Sequence, residues 1–422
     1  MGAVRGFSRR VPVHYRAEVV VAGGGPAGVA AAVAARRAGR RVVLLERSAQ
    51  LGGMATSGGV AIWMPVGNLT GLYKEFVREL GLKDNRGREW ESTRKFAPLF
   101  NPFLVRQYFN WKLEREGVTV FFHADCAGAI PKRGRLTAVV AGTREGLRAF
   151  DGRVFVDATG DARLAREAGV RCHSGRDRDG LTQPMTLMFQ MQKTDRPATP
   201  RLPEGCPRYE KVEDLPQGRL LFWEDAQTKT LLVNMTRVRG HGAKLDEISA
   251  AEREGLRQVF GVCDFLQRTS YPDYVLSHVA AQIGVRETHQ IQGLYTLTEE
   301  DLLAGRRFPD VVAQSDYSID VHNPDGKSGT EIRQLKTYDI PYRCLVPKRG
   351  PGNLIVAGRA LSATHHAMSS ARVMPTCFAL GQAAGLAASM AVEKKLDFQD
   401  VPAAELSARL KAQGVEFQTG AK

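Results

Sequence analysis

Residues 18–46 read EVVVAGGGPAGVAAAVAARRAGRRVVLLE, and the order of their parts decides the fold class. Residues 18–22 form a short, mostly apolar run of the kind a buried parallel strand requires, and the turn GGGPAG follows at once. Pro26 suits a first helical turn, VAAAVAARRAG is a strong helix former, and Gly39 supplies a C-terminal stop. Arg41–Glu46 then returns as a second strand that ends on an acid. In such a unit Gly23 permits the tight turn, Gly25 lets a pyrophosphate approach the backbone, and Gly28 lets helix and strand pack closely. The helix N-terminus, at Pro26 and Ala27, receives the phosphates. Glu46 can accept hydrogen bonds from both hydroxyls of an adenosine ribose, and its charge disfavours a 2′-phosphate. A glycine pattern alone is a weak signal; strand, glycine turn, helix, strand and acid in sequence is a strong one.

Three further stretches extend the pattern. ERSAQLGGMATSGG, residues 46–59, carries glycine doublets at Gly52–Gly53 and Gly58–Gly59. VFVDATGDA, residues 154–162, reads as a strand ending in a turn at Ala158, Thr159 and Gly160. Residues 353–391 read as a strand, a glycine turn at Gly358 and a long helix of small residues, with GQAAG at 381–385 allowing close packing on the sheet.

Together these motifs resemble the FAD-dependent oxidoreductases. Over roughly residues 16 to 395 the chain is similar to those sharing a fold with the flavoprotein subunit of fumarate reductase, in particular a bacterial branch carrying GGMATSGG, DATGD, YDIPYRCLVP and RVMPTCFALGQAAG. The resemblance implies an α/β fold: a Rossmann-like FAD-binding domain of the glutathione-reductase type with an inserted, sheet-containing substrate domain. The GG loop is then expected beside the FAD pyrophosphate and ribityl chain, with the turn at Ala158–Gly160 approaching from the far side of the sheet. The candidate FAD set is Gly23, Gly25, Pro26, Ala27, Gly28, Glu46, Arg47, Gly52, Gly53, Met54, Ala55, Thr56, Cys126, Ala127, Ala158, Thr159, Gly160, Asp161, Gly358, Arg359, Pro375 and Thr376. Two departures matter. Where covalent flavoproteins carry a histidine, only Met54, Ala55 and Thr56 precede Ser57, so FAD is expected to be noncovalent. Where many flavoproteins place an acid on the last strand turn, this chain has Arg359.

The 422 residues are 43% hydrophobic, 25% charged and 8% aromatic, an ordinary globular composition. The formal charge of +14 comes from scattered arginines and not from a Lys-rich block, which argues against nucleic acid as a partner. The six cysteines show no CxxC and no metal-ligand spacing, so no metal is expected. Residues 1–16 are basic but lack an apolar secretory segment, and the Ala-rich run at 29–38 is too short and too interrupted to span a bilayer. A cytoplasmic protein without a membrane span is the expectation. Domains are expected at 1–15 (a basic tail), 16–180 (first part of the FAD domain), 181–340 (substrate domain), 341–395 (second part of the FAD domain) and 396–422 (a C-terminal tail). Within 181–340, MTLMFQMQ and TLLVNMTRV alternate like half-buried strands, and the Pro-rich segment 194–207 reads as a loop or lid.

Flavin dehydrogenation requires a base for the substrate proton and positive charge near the pyrimidine side of the ring. The helix near Pro375 and Thr376 is expected to aim its N-terminus at the flavin carbonyl. His365 and His366, in ATHHAMSSARVMPT, are expected in a loop facing the ring, with one acting as base, His366 weakly preferred. Arg372, in the same loop, is a further candidate, either to bind a carboxylate or to pair with a surface acid. Arg286 in SHVAAQIGVRETHQIQG is the candidate clamp for a substrate anion, with Glu287 to steady it. Tyr338, Tyr342 and Arg343 stand where the chain returns to the FAD domain, with Tyr338 as a candidate pocket residue. Cys344 and Cys377 read as packing residues. The chain has no second nucleotide motif, so electrons are expected from a small polar organic substrate or from a partner and not from NAD(P)H, with oxygen or a protein as acceptor. A flavin monooxygenase is the alternative enzyme, and a noncatalytic FAD-fold binding protein the alternative of another class.

Overall fold

The computed structural model describes residues 10–67, 70–83, 87–89, 97–325 and 329–418. Its centre is a five-stranded, all-parallel sheet in the order Leu354–Val356, Val154–Asp157, Val19–Ala22, Val42–Glu46, Thr119–Phe122. The runs VVVA and VVLLE are buried at every position, as strands covered on both faces must be. Helix Pro26–Arg37 begins directly after the glycine turn and is buried from Pro26 through Ala35. The long helix Met374–Lys394 lies against it.

That contact corrects the expectation for GQAAG. Gly381 and Gly385 face the neighbouring helix, not the sheet. A Cβ on Gly381 would sit 2.0 Å from the carbonyl oxygen of Ala27, and one on Gly385 2.1 Å from that of Ala31. Neither position has room for any side chain, because the obstacle is helical backbone. Gly385→Val is therefore expected to cost at least about 1–3 kcal/mol, read as a lower Tm by calorimetry.

Among the described residues, Met374–Lys394 is also the one helix long and apolar enough to cross a membrane; 94% of its apolar window is buried inside the fold.

A second sheet, ordered 13–16, 146–151, 135–143, 125–132, flanks the parallel one. Part of the expected N-terminal tail is thus an edge strand: Val13–Arg16 pairs parallel with Gly146–Asp151, which satisfies its backbone groups. Residues 1–9 of that tail lie outside the described residues. The expected C-terminal tail holds helix Ala403–Ala412, whose Leu406 and Leu410, spaced four apart, are fully buried.

Between the parallel strands ending at Asp157 and starting at Leu354 the chain builds an antiparallel sheet in the order 222–225, 230–233, 189–193, 274–279. The alternating segments MTLMFQMQ and TLLVNMTRV supply two of these strands. Helix Leu245–Thr269 packs behind, burying Val259, Val262, Phe265 and Leu266. A short hairpin, Ile319–His322 with Thr330–Arg333, follows, and Tyr338–Pro341 then pairs with Val311–Ser315.

Candidate active site

A cleft of about 870 Å³ runs from the glycine turn to the strand Ile319–His322, lined by residues of both the parallel-sheet and the antiparallel-sheet regions. At one end are Gly23, Gly25, Pro26, Ala27, Glu46, Arg47, Gly53, Met54, Cys126, the turn Ala158–Asp161, Gly358 and Arg359. At the other are Thr186, Trp223, Asn234, Arg286, Tyr317, Asp320, His322 and Arg372.

The first end is built by close backbone approach. Gly23 has φ +100°, and a Cβ there would lie 2.5 Å from the carbonyl oxygen of Ala158. A Cβ on Gly28 would meet the oxygen of Gly23 at 1.8 Å. Gly25 is different: a Cβ there meets nothing within 4 Å, so the space before the helix N-terminus is open. The carboxylate of Glu46 accepts from the backbone N–H of Gly24 at 2.7 Å and of Ser48 at 2.8 Å, which fixes an acid at the cleft wall. The second glycine loop folds onto the first. Gly52, at φ +105°, donates to the oxygen of Gly24 at 2.8 Å, and a Cβ on Gly53 would lie 3.1 Å from the Cα of Gly25. Ala55 and Thr56 are buried behind this loop, the Thr56 hydroxyl donating to the oxygen of Leu51 at 2.6 Å; they hold the loop and do not line the cleft.

The turn after Val154–Asp157 is tied from both sides. Buried Asp157 accepts from the N–H of Thr159 at 3.0 Å, its hydroxyl at 2.7 Å and the N–H of Ala165 at 2.8 Å, while burial pushes its pKa up. Arg359 finds its role here: it donates to the oxygens of Gly160 and Val285, each at 2.7 Å, and pairs with Asp161. Burial opposes the charge on Asp161, but Arg359 and the hydroxyl of Thr288 hold its pKa below the usual range. Arg359 thus pins the turn to the segment carrying Arg286.

Three further candidates for the cofactor set fall elsewhere. Ala127 is exposed on the strand Asp125–Lys132, because the alternation that turns Cys126 inward turns Ala127 out. Pro375 and Thr376 are buried inside helix Met374–Lys394 with Val373 as its N-cap, so Val373, Met374 and Cys377 face the cleft instead. The Thr376 hydroxyl donates to that of Ser315 at 3.2 Å. Cys377, read as a packing residue, is buried and also lines the cleft.

At the far end Arg286 is held through Nη1, which donates to the oxygen of Pro184 and the hydroxyl of Thr186, each at 2.7 Å, while Nη2 donates to the amide oxygen of Asn234 at 3.4 Å. Glu287 does not steady it. That carboxylate is buried on the other side, accepting from the N–H of Gln183 at 2.9 Å and pairing with His365 at 2.9 Å. Arg372 ends helix His365–Ala371 and reaches the carbonyl oxygen of Asp320 at 3.3 Å. Burial, and then the charge of Arg372, pull the pKa of Arg286 down. Behind both, Arg237 donates to Thr186 at 2.8 Å and is pulled well down by burial and by Arg286. This end is charged before any ligand enters, and among the described residues Asp320 is the one carboxylate lining it.

The histidine pair is placed differently from the expectation. Thr364 caps the backbone N–H of Ala367 through its side chain, so His365 and His366 open a helix and not a loop. Successive helical side chains diverge, and neither reaches the cleft. His365 is buried against Glu287, while His366 is 36% exposed beside Glu299 and Glu331. Tyr338 is likewise a core residue: its hydroxyl meets that of Ser370 at 2.7 Å, in a strand buried throughout. Tyr342 donates to the oxygen of Phe398 at 2.8 Å and Arg343 pairs with Asp310 at 2.9 Å, both away from the cleft.

The residues that sequence reasoning missed are Tyr317, Asp320 and His322. Asp320 and His322 alternate along one strand, so they share a face, and the stretch SDYSIDVH carries that polar i, i+2 signature within an apolar frame. The hydroxyl of Tyr317 donates to Asp320 at 3.1 Å.

The glycine cradle, the ordered acid and the open helix N-terminus define a dinucleotide site, and its long continuation toward the arginines fits a flavin-bearing one. The family model for FAD dependent oxidoreductase matches residues 18–410, and the chain belongs to that family of enzymes, whose cofactor is FAD. Among solved structures it is similar to a geranylgeranyl bacteriochlorophyll reductase-like protein from Thermoplasma acidophilum, with 11% identity, TM-score 0.51, and 95% of this chain and 84% of that one covered. BexE, studied for oxidation during BE-7585A biosynthesis, gives 16% identity, TM-score 0.50 and coverage of 94% and 69%. OxyS anhydrotetracycline hydroxylase from Streptomyces rimosus gives 13%, 0.48, and 94% and 65%. At these identities the likeness to the first two is one of fold alone. No curated protein matches the sequence.

Proposed function

We propose that the chain is an FAD-dependent dehydrogenase or oxidase that removes a hydride and a proton from a small, polar, carboxylate-bearing substrate, with FAD bound noncovalently in a glutathione-reductase-type domain. The observation that carries this reading is the pair Arg286 and Arg372, two guanidiniums on one cleft wall with a single carboxylate nearby. A guanidinium fork suits bidentate contact with a carboxylate. When bound, FAD supplies a two-electron hydride acceptor. The chain supplies the rest. Arg286 and Arg372 orient the substrate anion, and the apolar lining residues Trp223, Leu221 and Met188 exclude water. Tyr317 and Asp320 receive the proton: the substrate O–H or N–H passes its proton to the phenol oxygen as the phenol proton moves to the carboxylate. Burial, followed by Asp320, raises the pKa of Tyr317, so it acts as a relay and not as a phenolate. The electron acceptor in turnover is oxygen or a protein.

A panel of organic acids and polyols, added without oxygen, tests the reading: an acid bleaching the visible flavin band supports it, and reduction by NAD(P)H alone would sink it. With that acid, Asp320→Asn is expected to slow flavin reduction by roughly 10²- to 10⁴-fold at unchanged FAD content.

A further inference from the structure

His322 is the one histidine among the described residues that line the cleft, and it invites the role expected of His365 or His366. Its surroundings forbid that role. The residue is buried, with its side chain 7% exposed. Nδ1 lies 3.3 Å from Nη2 of Arg237 and 3.4 Å from the hydroxyl of Thr330. A guanidinium nitrogen only donates, so Nδ1 must carry a lone pair. The ring proton is then on Nε2, which lies 3.7 Å from Oδ2 of Asp320, beside the arginine end of the cleft. The other charged groups acting on the ring are cationic, Arg286, Arg372 and Arg219 from three separate segments, while the His322 backbone N–H donates to the amide oxygen of Gln183 at 3.3 Å. A second ring proton would meet an N–H of Arg237 head-on and add a charge beside four arginines. Burial and those same arginines push its pKa well below the ordinary value.

We infer that Arg237 locks His322 as the neutral Nε2–H tautomer, which makes it a fixed hydrogen-bond donor to the substrate anion and not the base of the reaction. The inference rests on the proposed carboxylate site, and its consequence is a division of labour. Arg286 and Arg372 supply charge, His322 supplies a directional neutral donor, and Asp320 is left as the proton acceptor. A histidine that cannot titrate also makes anion binding insensitive to pH across the range where free imidazole changes charge.

Two measurements on the FAD-loaded full chain decide this. Ring-¹⁵N NMR, with H322Q to assign the signals, is expected to show a neutral Nε2–H ring from about pH 5.5 to about pH 8; an imidazolium or an Nδ1–H ring overturns the proposal. Acetate, titrated against the visible flavin spectrum, is expected to bind with an affinity flat over that range. Tenfold tightening as pH falls through about 6.5 would overturn it. The amide of H322Q keeps a donor near Nε2 and should hold acetate to within about threefold, whereas H322F should lose about tenfold or more; equal binding by both variants overturns the donor role. If no anion perturbs the spectrum, the carboxylate-site reading fails, and with it His322 as substrate donor, while the NMR result still decides the tautomer lock.

Discussion

Gly23→Val is expected to yield a chain that purifies without flavin. Two effects act at this position and neither can be relieved locally. The backbone sits at φ +100°, which a branched residue adopts only under strain of about 1–3 kcal/mol. Its Cβ would fall 2.5 Å from the oxygen and 2.7 Å from the carbon of the Ala158 carbonyl, and 2.9 Å from the Cα of Thr159. All three obstacles are backbone of the second turn that lines the cleft, so accommodation must part the two turns, at a further cost of about 1–3 kcal/mol. Parting them also moves the N–H of Gly24 away from Glu46, which removes the ordered acid expected at the ribose. Gly39→Ala is the control: φ is +84° but a Cβ meets nothing within 4 Å. It should lower Tm modestly and keep its FAD, measured as the ratio of flavin to protein absorbance. Equal FAD content in the two variants would show that the contact between turns does not shape the site.

Arg286→Gln is expected to abolish recognition of the substrate anion while leaving FAD in place. Removing one partner from a desolvated, hydrogen-bonded charge contact costs about 2–5 kcal/mol, roughly thirtyfold to several thousandfold in kcat/KM. The planar fork matters as well as the charge, because it is already fixed by Pro184 and Thr186. Arg286→Lys should therefore recover only part of the loss. The neighbouring Glu287→Gln touches Gln183 and His365 and not the fork, so a much smaller change in acetate affinity is expected from it. If Arg286→Gln binds acetate as the parent does, the anion is held elsewhere.

The nucleotide half was legible in the sequence because each glycine there answers a local requirement. Gly23 and Gly28 leave no space for a side chain and Gly25 opens on the cleft, and those constraints are written in consecutive residues. The substrate half was only partly legible. Arg286 and Arg372 could be chosen from residue type and position, but their surroundings come from strands far apart in the chain. His365 and His366 misled because a Thr cap, one residue before the first and two before the second, turned an expected loop into a helix. Tyr338 misled because the phenol that lines the cleft, Tyr317, lies two residues beyond the end of the strand that pairs with it. The triad Tyr317, Asp320 and His322 had a signal, polar alternation in SDYSIDVH, but its meaning required the four arginines folded against it. Arg359 stood out as a departure from the flavoprotein pattern, and only its three tertiary partners explained it.

The most direct measurement is anaerobic mixing of the FAD-loaded chain with small carboxylate-bearing alcohols and amines, following the visible flavin band. The expected result is that one of these acids alone bleaches the band, and that Arg286→Gln, with FAD still bound, does not respond to it. Bleaching by NAD(P)H alone, or by an uncharged polyol at the same rate in parent and variant, would contradict the account.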